Sequence, residues 1–173
     1  MTVTIPPDLT DHFPDALTVA PDGAWEITVP AAKAREALEY LGRDRRPPFD
    51  YFIDLFGVDY GEEFEVVYHL SRVLTGELVR VRLRLPRRGP TVKTVSDIWA
   101  GASWPERELM EMFGIAVEGH PDPRHLLLPE DWKGYPLRKD YQYPADHPWL
   151  SRDPMREDPG KYLAEHPVEE APR

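Results

Sequence analysis

The 173-residue chain contains no cysteine. Disulfides are therefore excluded, as are thiol nucleophiles and thiolate ligation of iron–sulfur clusters. Long apolar runs are also missing: none approaches the roughly 20 residues needed to cross a bilayer. The first residues show no basic region followed by an apolar stretch, so no signal peptide is expected and a cytosolic address is the default. Neither GxGxxG nor GxxxxGK[ST] occurs, and GxSxG is absent too. Nucleotide, flavin and acyl-transfer chemistry thus lack their usual residues. Basic charge is in deficit, with a net charge of −10. Nucleic acid, whose phosphates demand a basic face, is excluded as a partner. Direct adhesion to anionic lipid is disfavoured for the same reason.

Proline, in contrast, is plentiful: 20 residues, about twice the usual share. Long extended connections should accompany a packed core. The lead-in, residues 1–23, is acidic and irregular, with room for a short helix near Leu9 to Phe13. Trp25 to Val29 alternates and reads as a strand. Ala34, Leu38 and Leu41 share one face of a helix over residues 31–41, started by Pro30 and ended by Gly42. Tyr51 to Tyr60 is aromatic and β-branched, a strand and turn. Phe64, Val66, Tyr68 and Leu70 fall at period two, as do Val79, Val81, Leu83 and Leu85, with Thr75-Gly76 between them. That pattern predicts a hairpin. Thr94 to Trp99 reads as a turn or short helix. A further helix spans Gly101 to Gly114. Ser103 and Glu106 have capping-box spacing, Leu109, Met112 and Phe113 share a face, and Gly114 is a natural stop.

The predicted fold is α+β: a two-layer sandwich with helices on one face of a mostly antiparallel or mixed sheet. It should occupy residues 1–119. Residues 120–143 read as an extended partner-docking arm. Residues 144–173, with six prolines and mixed charge, read as an extended or disordered tail.

Four groups of residues can carry chemistry. Glu108 and Glu111, three apart on the punctuated helix, can act as paired carboxylates or bind a metal. With Glu106 and Arg107 they can equally form a solvated helix start. His120, His125 and Asp122 are possible zinc ligands, although the prolines between them favour a rigid turn. Arg80, Arg82 and Arg84 can bind an anion or form the wet side of a sheet. Leu137, Arg138, Lys139, Asp140 and Tyr141 mix apolar anchors with charge, a composition suited to an interface. On that reading Arg138 pairs with a partner carboxylate. Its replacement would then weaken assembly and leave the domain's own melting temperature unmoved.

The stretch SDIWAGASWPERELMEMFGIAVEGHPDPRHLLLPEDWKGYPLRKDY, residues 96–141, resembles the signature region of the 30-kDa subunit of respiratory complex I. In bacteria that family is the C subunit of NADH-quinone oxidoreductase. Glu106, Arg107, Glu108, Glu111, Met112, Phe113, His120, Arg124, Leu126 and Leu127 match its pattern, and residues 134–141 match a GHPLRKDY-like element. Upstream, FDYFIDLFGVDY before a hairpin also resembles the family. Two positions depart: Pro123 stands where Leu is expected, and Tyr135 where His is expected. The resemblance implies a separate, non-catalytic subunit of the hydrophilic arm of a proton-translocating enzyme. It would carry no cofactor of its own. Flavin, iron–sulfur clusters and quinone would sit in partner subunits, chiefly the large quinone-site subunit as neighbour. Location would be peripheral, on the cytoplasmic side of the cell membrane, reached only through the complex. The charges of Glu106 to Glu111 would then hold the helix against its neighbours. Energy-converting hydrogenases and ferredoxin-linked quinone reductases share the signature, so an equivalent subunit there is the alternative. A free-standing hydrolase using Glu108 and Glu111 is the remaining one.

Overall fold

Alternation of apolar and polar residues decides which face of each strand turns inward. In a computed structural model, which describes residues 5–142, five strands form one sheet in the order β1-β2-β5-β4-β3. They are β1 (Leu17–Val19), β2 (Trp25–Thr28), β3 (Tyr51–Asp59), β4 (Glu63–Ser71) and β5 (Leu78–Pro86). β2 runs parallel to β5, and the other pairs are antiparallel. This is the mixed sheet of the expected α+β fold. The predicted hairpin is present, with Val66 opposite Leu83 and Tyr68 opposite Val81. The inward sets of β4 and β5 are almost wholly excluded from solvent, together with Trp25 and Ile27. Each such aliphatic side chain contributes about 1.5–3 kcal/mol relative to exposure.

Among the described residues three α-helices accompany the sheet: α1 (Pro7–His12), α2 (Ala31–Glu39) and α3 (Ser103–Phe113). α2 buries Ala34, Ala37 and Leu38 in the core. It does not stop at Gly42; it widens into a π turn over Tyr40–Asp44 that buries Leu41. α3 packs on β3 and buries Leu109 and Phe113, whose ring meets Phe64 edge-on at 6.3 Å. Gly57 makes this possible. A Cβ there would lie 2.9 Å from a Leu109 methyl and 3.0 Å from the Phe113 ring.

The other face of the sheet carries the arginine stripe. Arg80 pairs with Asp22 and Glu26, Arg82 with Glu26 and Glu65, and Arg84 with Glu63 and Glu65. Each guanidinium is matched by carboxylates of the same chain, which supports the wet-face reading over an anion site.

Several features depart from the sequence reading. β1 was expected to be irregular. A second sheet joins β6 (Thr91–Lys93) and β7 (Ala116–Glu118) in parallel. Elements of three residues are too short to show a period. The expected boundary at residue 119 also falls: the compact unit runs through Tyr141. The tail expected over residues 144–173 lies outside the described residues, as does Tyr143.

Candidate functional site

α3 begins at Ser103 and ends at Gly114, whose φ of 64° is the left-handed C-cap that glycine adopts without penalty. The start is not a capping box. Ala102 precedes the helix and makes no side-chain cap. Ser103 Oγ lies 3.3 Å from His120 Nε2, and Glu106 turns away from the helix start. The Glu106 side chain is fully buried. Its two oxygens accept from the Val95 amide and the Thr94 hydroxyl, both at 2.6 Å. Burial pushes its carboxyl above the usual glutamate range, and the Thr94 and Val95 bonds act against that rise.

His120 lies 3.7 Å from the same carboxylate, and its side chain is fully buried. Its Nδ1 accepts the Asp122 amide at 3.0 Å, which places a proton on Nε2, 3.0 Å from the Ser103 carbonyl. His125 points elsewhere, its Nδ1 3.1 Å from the Pro129 carbonyl. Asp122 is taken by Arg124, at 2.6 and 2.8 Å, which holds its carboxyl down near 2. The three possible zinc ligands are thus not brought together. Among the described residues no group of three or more His, Asp or Glu side chains is placed to hold a metal.

The paired-carboxylate reading fails on the same ground. Glu111 is buried, and Glu108 is exposed. Glu111 accepts three consecutive amides: Leu126 and Leu127 at 2.9 Å and Leu128 at 3.3 Å. Arg107 complements it by donating to the Arg124 and His125 carbonyls at 2.7 and 2.5 Å. Acid and base on one helix therefore fix the two polar edges of one loop.

The segment expected to dock on a partner folds back on its own domain. The Leu137 amide donates to Met112 O at 3.1 Å, and the Lys139 amide to Asp59 at 2.8 Å. Arg138 donates to the Phe113 and Gly114 carbonyls at 2.5 and 3.3 Å, a cation at the negative end of α3. Its guanidinium lies 5.2 Å from the Phe64 ring centroid and 4.3 Å from that of Tyr135. Asp140 pairs with Arg87 at 2.6 Å, and Tyr141 donates its hydroxyl to Lys133 O at 3.1 Å. Where a partner carboxylate was expected for Arg138, its Nε and Nη2 are instead engaged by carbonyls of its own domain. Leu127, Tyr135 and Leu137 keep outward apolar faces.

Sequence reasoning missed Asp59, Thr94 and Arg87, and gave Ser103 a cap in place of its contact with His120. Asp59 is the hub that accepts from Arg87 (2.7 Å), Gly61 (2.7 Å) and Lys139. Burial opposes its ionisation, yet these donors hold its carboxyl below the usual range. No local signal marks it, because two of its partners lie far along the chain.

Fold and site together define an α+β module whose charged side chains tie a helix to an irregular C-terminal strap. A model of the respiratory-chain NADH dehydrogenase 30 Kd subunit matches residues 27–158. The chain belongs to that family. Relatives include the C subunit of NADH-quinone oxidoreductase from Roseiflexus castenholzii, 36% identical over 78% of this chain and 80% of its own. The C subunit from Chloroherpeton thalassium is 43% identical over 67% of this chain and 50% of its own. A C/D subunit from Phocaeicola vulgatus is 45% identical over 66% of this chain but only 22% of its own. The chain thus spans half the Chloroherpeton relative and about a fifth of the C/D relative. Among solved structures, the trypsin-resistant fragment (1-134) of Nqo5 matches with 30% identity and a TM-score of 0.52. That match covers 61% of this chain and 87% of the fragment. A chain of the membrane-bound sulfane sulfur reductase, an archaeal respiratory membrane complex, shares the fold at 24% identity. Its TM-score is 0.68, over 96% of this chain and 91% of its own. No described helix is long and apolar enough to cross a membrane.

Proposed function

We propose that this chain is the C-type scaffold subunit of a proton-translocating NADH:quinone oxidoreductase, and that it carries no reacting group itself. One observation carries the reading. The signature carboxylates Glu106 and Glu111 are buried and each is committed to donors of its own chain, the Val95 amide and Thr94 hydroxyl for the first and the Leu126 and Leu127 amides for the second. Flavin, clusters and quinone then reside in partner subunits. The large quinone-site subunit is the chief neighbour. A relative that carries the C and D designations in one polypeptide supports this pairing, because one chain keeps the two at fixed stoichiometry and close range. The protein reaches the cytoplasmic face of the membrane only through these neighbours.

Affinity purification of the full chain from gently solubilised membranes tests the proposal. NADH- and flavin-binding subunits and the large quinone-site subunit should co-purify. A nickel-ligating large subunit in their place would move the chain to an energy-converting hydrogenase. Stoichiometric flavin or iron on the free chain would overturn the cofactor-free part.

A further inference from the structure

The turn between β4 and β5 is built with more care than a solvent-facing loop needs. Arg72 is buried, donates to Pro47 O at 3.3 Å, pairs with Glu77 and lies 5.5 Å from the Phe49 ring centroid. The Thr75 and Gly76 amides return to Arg72 O at 3.3 and 2.8 Å. The Val73 amide donates to Asp50 at 3.0 Å, and Thr75 Oγ1 to Glu77 at 2.6 Å. The backbone is thus fixed from both sides. What it presents is apolar: Val73 is 65% and Leu74 93% exposed.

Strand register extends the patch. Leu78, Ser71 and Tyr51 lie in one row across β5, β4 and the edge strand β3. Ile53 sits in the β3 bulge one step on. Tyr51, Ile53 and Leu78 are all exposed. Five of the twelve exposed large apolar side chains among the described residues thus gather at one end of the sheet. Singly exposed apolar residues need no explanation, but a cluster marks a site. Turns ordinarily place polar or small residues here.

The charge around the patch is acidic. Asp50 and Asp54 are exposed and stand outside the ion pairs found among the described residues, while Glu77 is offset by Arg72. Of the neighbouring cations, Arg45 is buried on Asp8 at 2.6 Å, whereas Arg46 is exposed and donates only to carbonyls, so outside ion pairs the rim holds two carboxylates against one cation. An acidic rim repels anionic lipid and fits a basic protein surface.

We propose that Val73 and Leu74 form a preorganised anchor that inserts into an apolar socket, ringed by Lys or Arg, on another protein subunit of the same assembly. The partner's identity as a subunit rests on the function proposed above. Because the turn is already ordered, docking loses little conformational entropy.

The absence of cysteine allows a clean test: Leu74→Cys introduces the chain's sole thiol. Its reaction with a water-soluble maleimide is followed at this chain's mass, in the free full chain and in the purified complex. Modification should be at least about tenfold slower in the complex. Equal rates would overturn the anchor while leaving the subunit assignment intact, since co-purification reads that separately. Slowing that grows with the free chain's concentration would indicate a second copy instead. Slowing by anionic phospholipid vesicles alone would indicate a membrane. Either result sinks the proposal. Leu74→Ser should leave the free chain's melting temperature unchanged. Competed against wild type during assembly, it should lose about tenfold or more in occupancy. Equal occupancy would also overturn the anchor.

Discussion

Glu111→Ala removes the acceptor for three amides and so measures what the helix-to-loop tie is worth. Hydrogen bonds to a charged group each contribute about 1.5–3 kcal/mol net. Two of the bonds are well formed at 2.9 Å, and the third, at 3.3 Å, is long. The amides are only partly buried, so water replaces part of the loss. The expected cost is about 3 kcal/mol. For a chain of this size that corresponds to a fall in melting temperature of about 6–12 °C. Glu111→Gln keeps the volume and one acceptor but turns an NH2 toward an amide, so it should lose more than half as much. Glu108→Ala, on the exposed side of the same helix, should stay within about 0.5 kcal/mol of wild type. Thermal melts of the full chain give the magnitude, and hydrogen exchange at Leu126, Leu127 and Leu128 localises it. Melting of Glu111→Ala within about 1 °C of wild type, with unchanged exchange at those amides, would refute the account. A loss at Glu108 equal to that at Glu111 would refute the assigned asymmetry.

Arg138→Ala should cost the free chain about 2 kcal/mol through the lost helix-end bonds and ring contacts, and Arg138→Lys should recover less than half; an unmoved melting temperature would restore the partner-docking role. Gly57→Ala forces a methyl against Leu109 and Phe113 and should cost about 1–3 kcal/mol, read by denaturant midpoints. The acid limb of stability should have two opposed components. Arg35 holds the Asp97 carboxyl down to about 2, so its contribution is present above the unfolded aspartate value of about 4 and fades as pH falls toward 2. Burial raises Glu106, so its ionisation opposes folding and stability is lost as pH rises through its folded value. Glu106→Gln should therefore flatten the profile above about pH 4.5, whereas Asp97→Asn should flatten it below about pH 4; unfolding midpoints measured on both sides of that interval decide, and identical profiles would sink both assignments.

Legibility in the sequence followed the physics of period. The hairpin, both longer helices and the inward faces of β4 and β5 were readable because burial imposes repeats of two or 3.6 residues. The three-residue strands were not, since no repeat fits in them. The capping box was misread for a different reason. Ser103 and Glu106 have the right spacing, but His120, Thr94 and Val95 compete for them from other parts of the chain. Composition also misled at residues 136–141. Prolines and mixed charge suggested a segment in search of a partner, yet its amides find Met112 O, Asp59, Tyr135 O and Arg138 O within the domain. Spacing along one segment cannot reveal which distant group completes its hydrogen bonds.

Hydrogen bonds completed from a distance also account for the charge of the signature segment. Residues 120–141 have no regular structure, so their amides and carbonyls cannot satisfy one another in a ladder. The interior backbone groups of α3 are committed to their own helix. Side chains must therefore supply the missing partners. Carboxylates at Glu111 and Asp59 accept from the segment's amides, and Arg107 donates to its carbonyls. Arg138 works in the opposite sense, reaching from the segment to the open end of α3. An ionised acceptor forms shorter and stronger bonds than a neutral one, which favours Glu and Asp over Gln and Asn at these positions. The charged signature is thus the hydrogen-bond complement of an irregular strap, and it requires no reacting substrate to account for it.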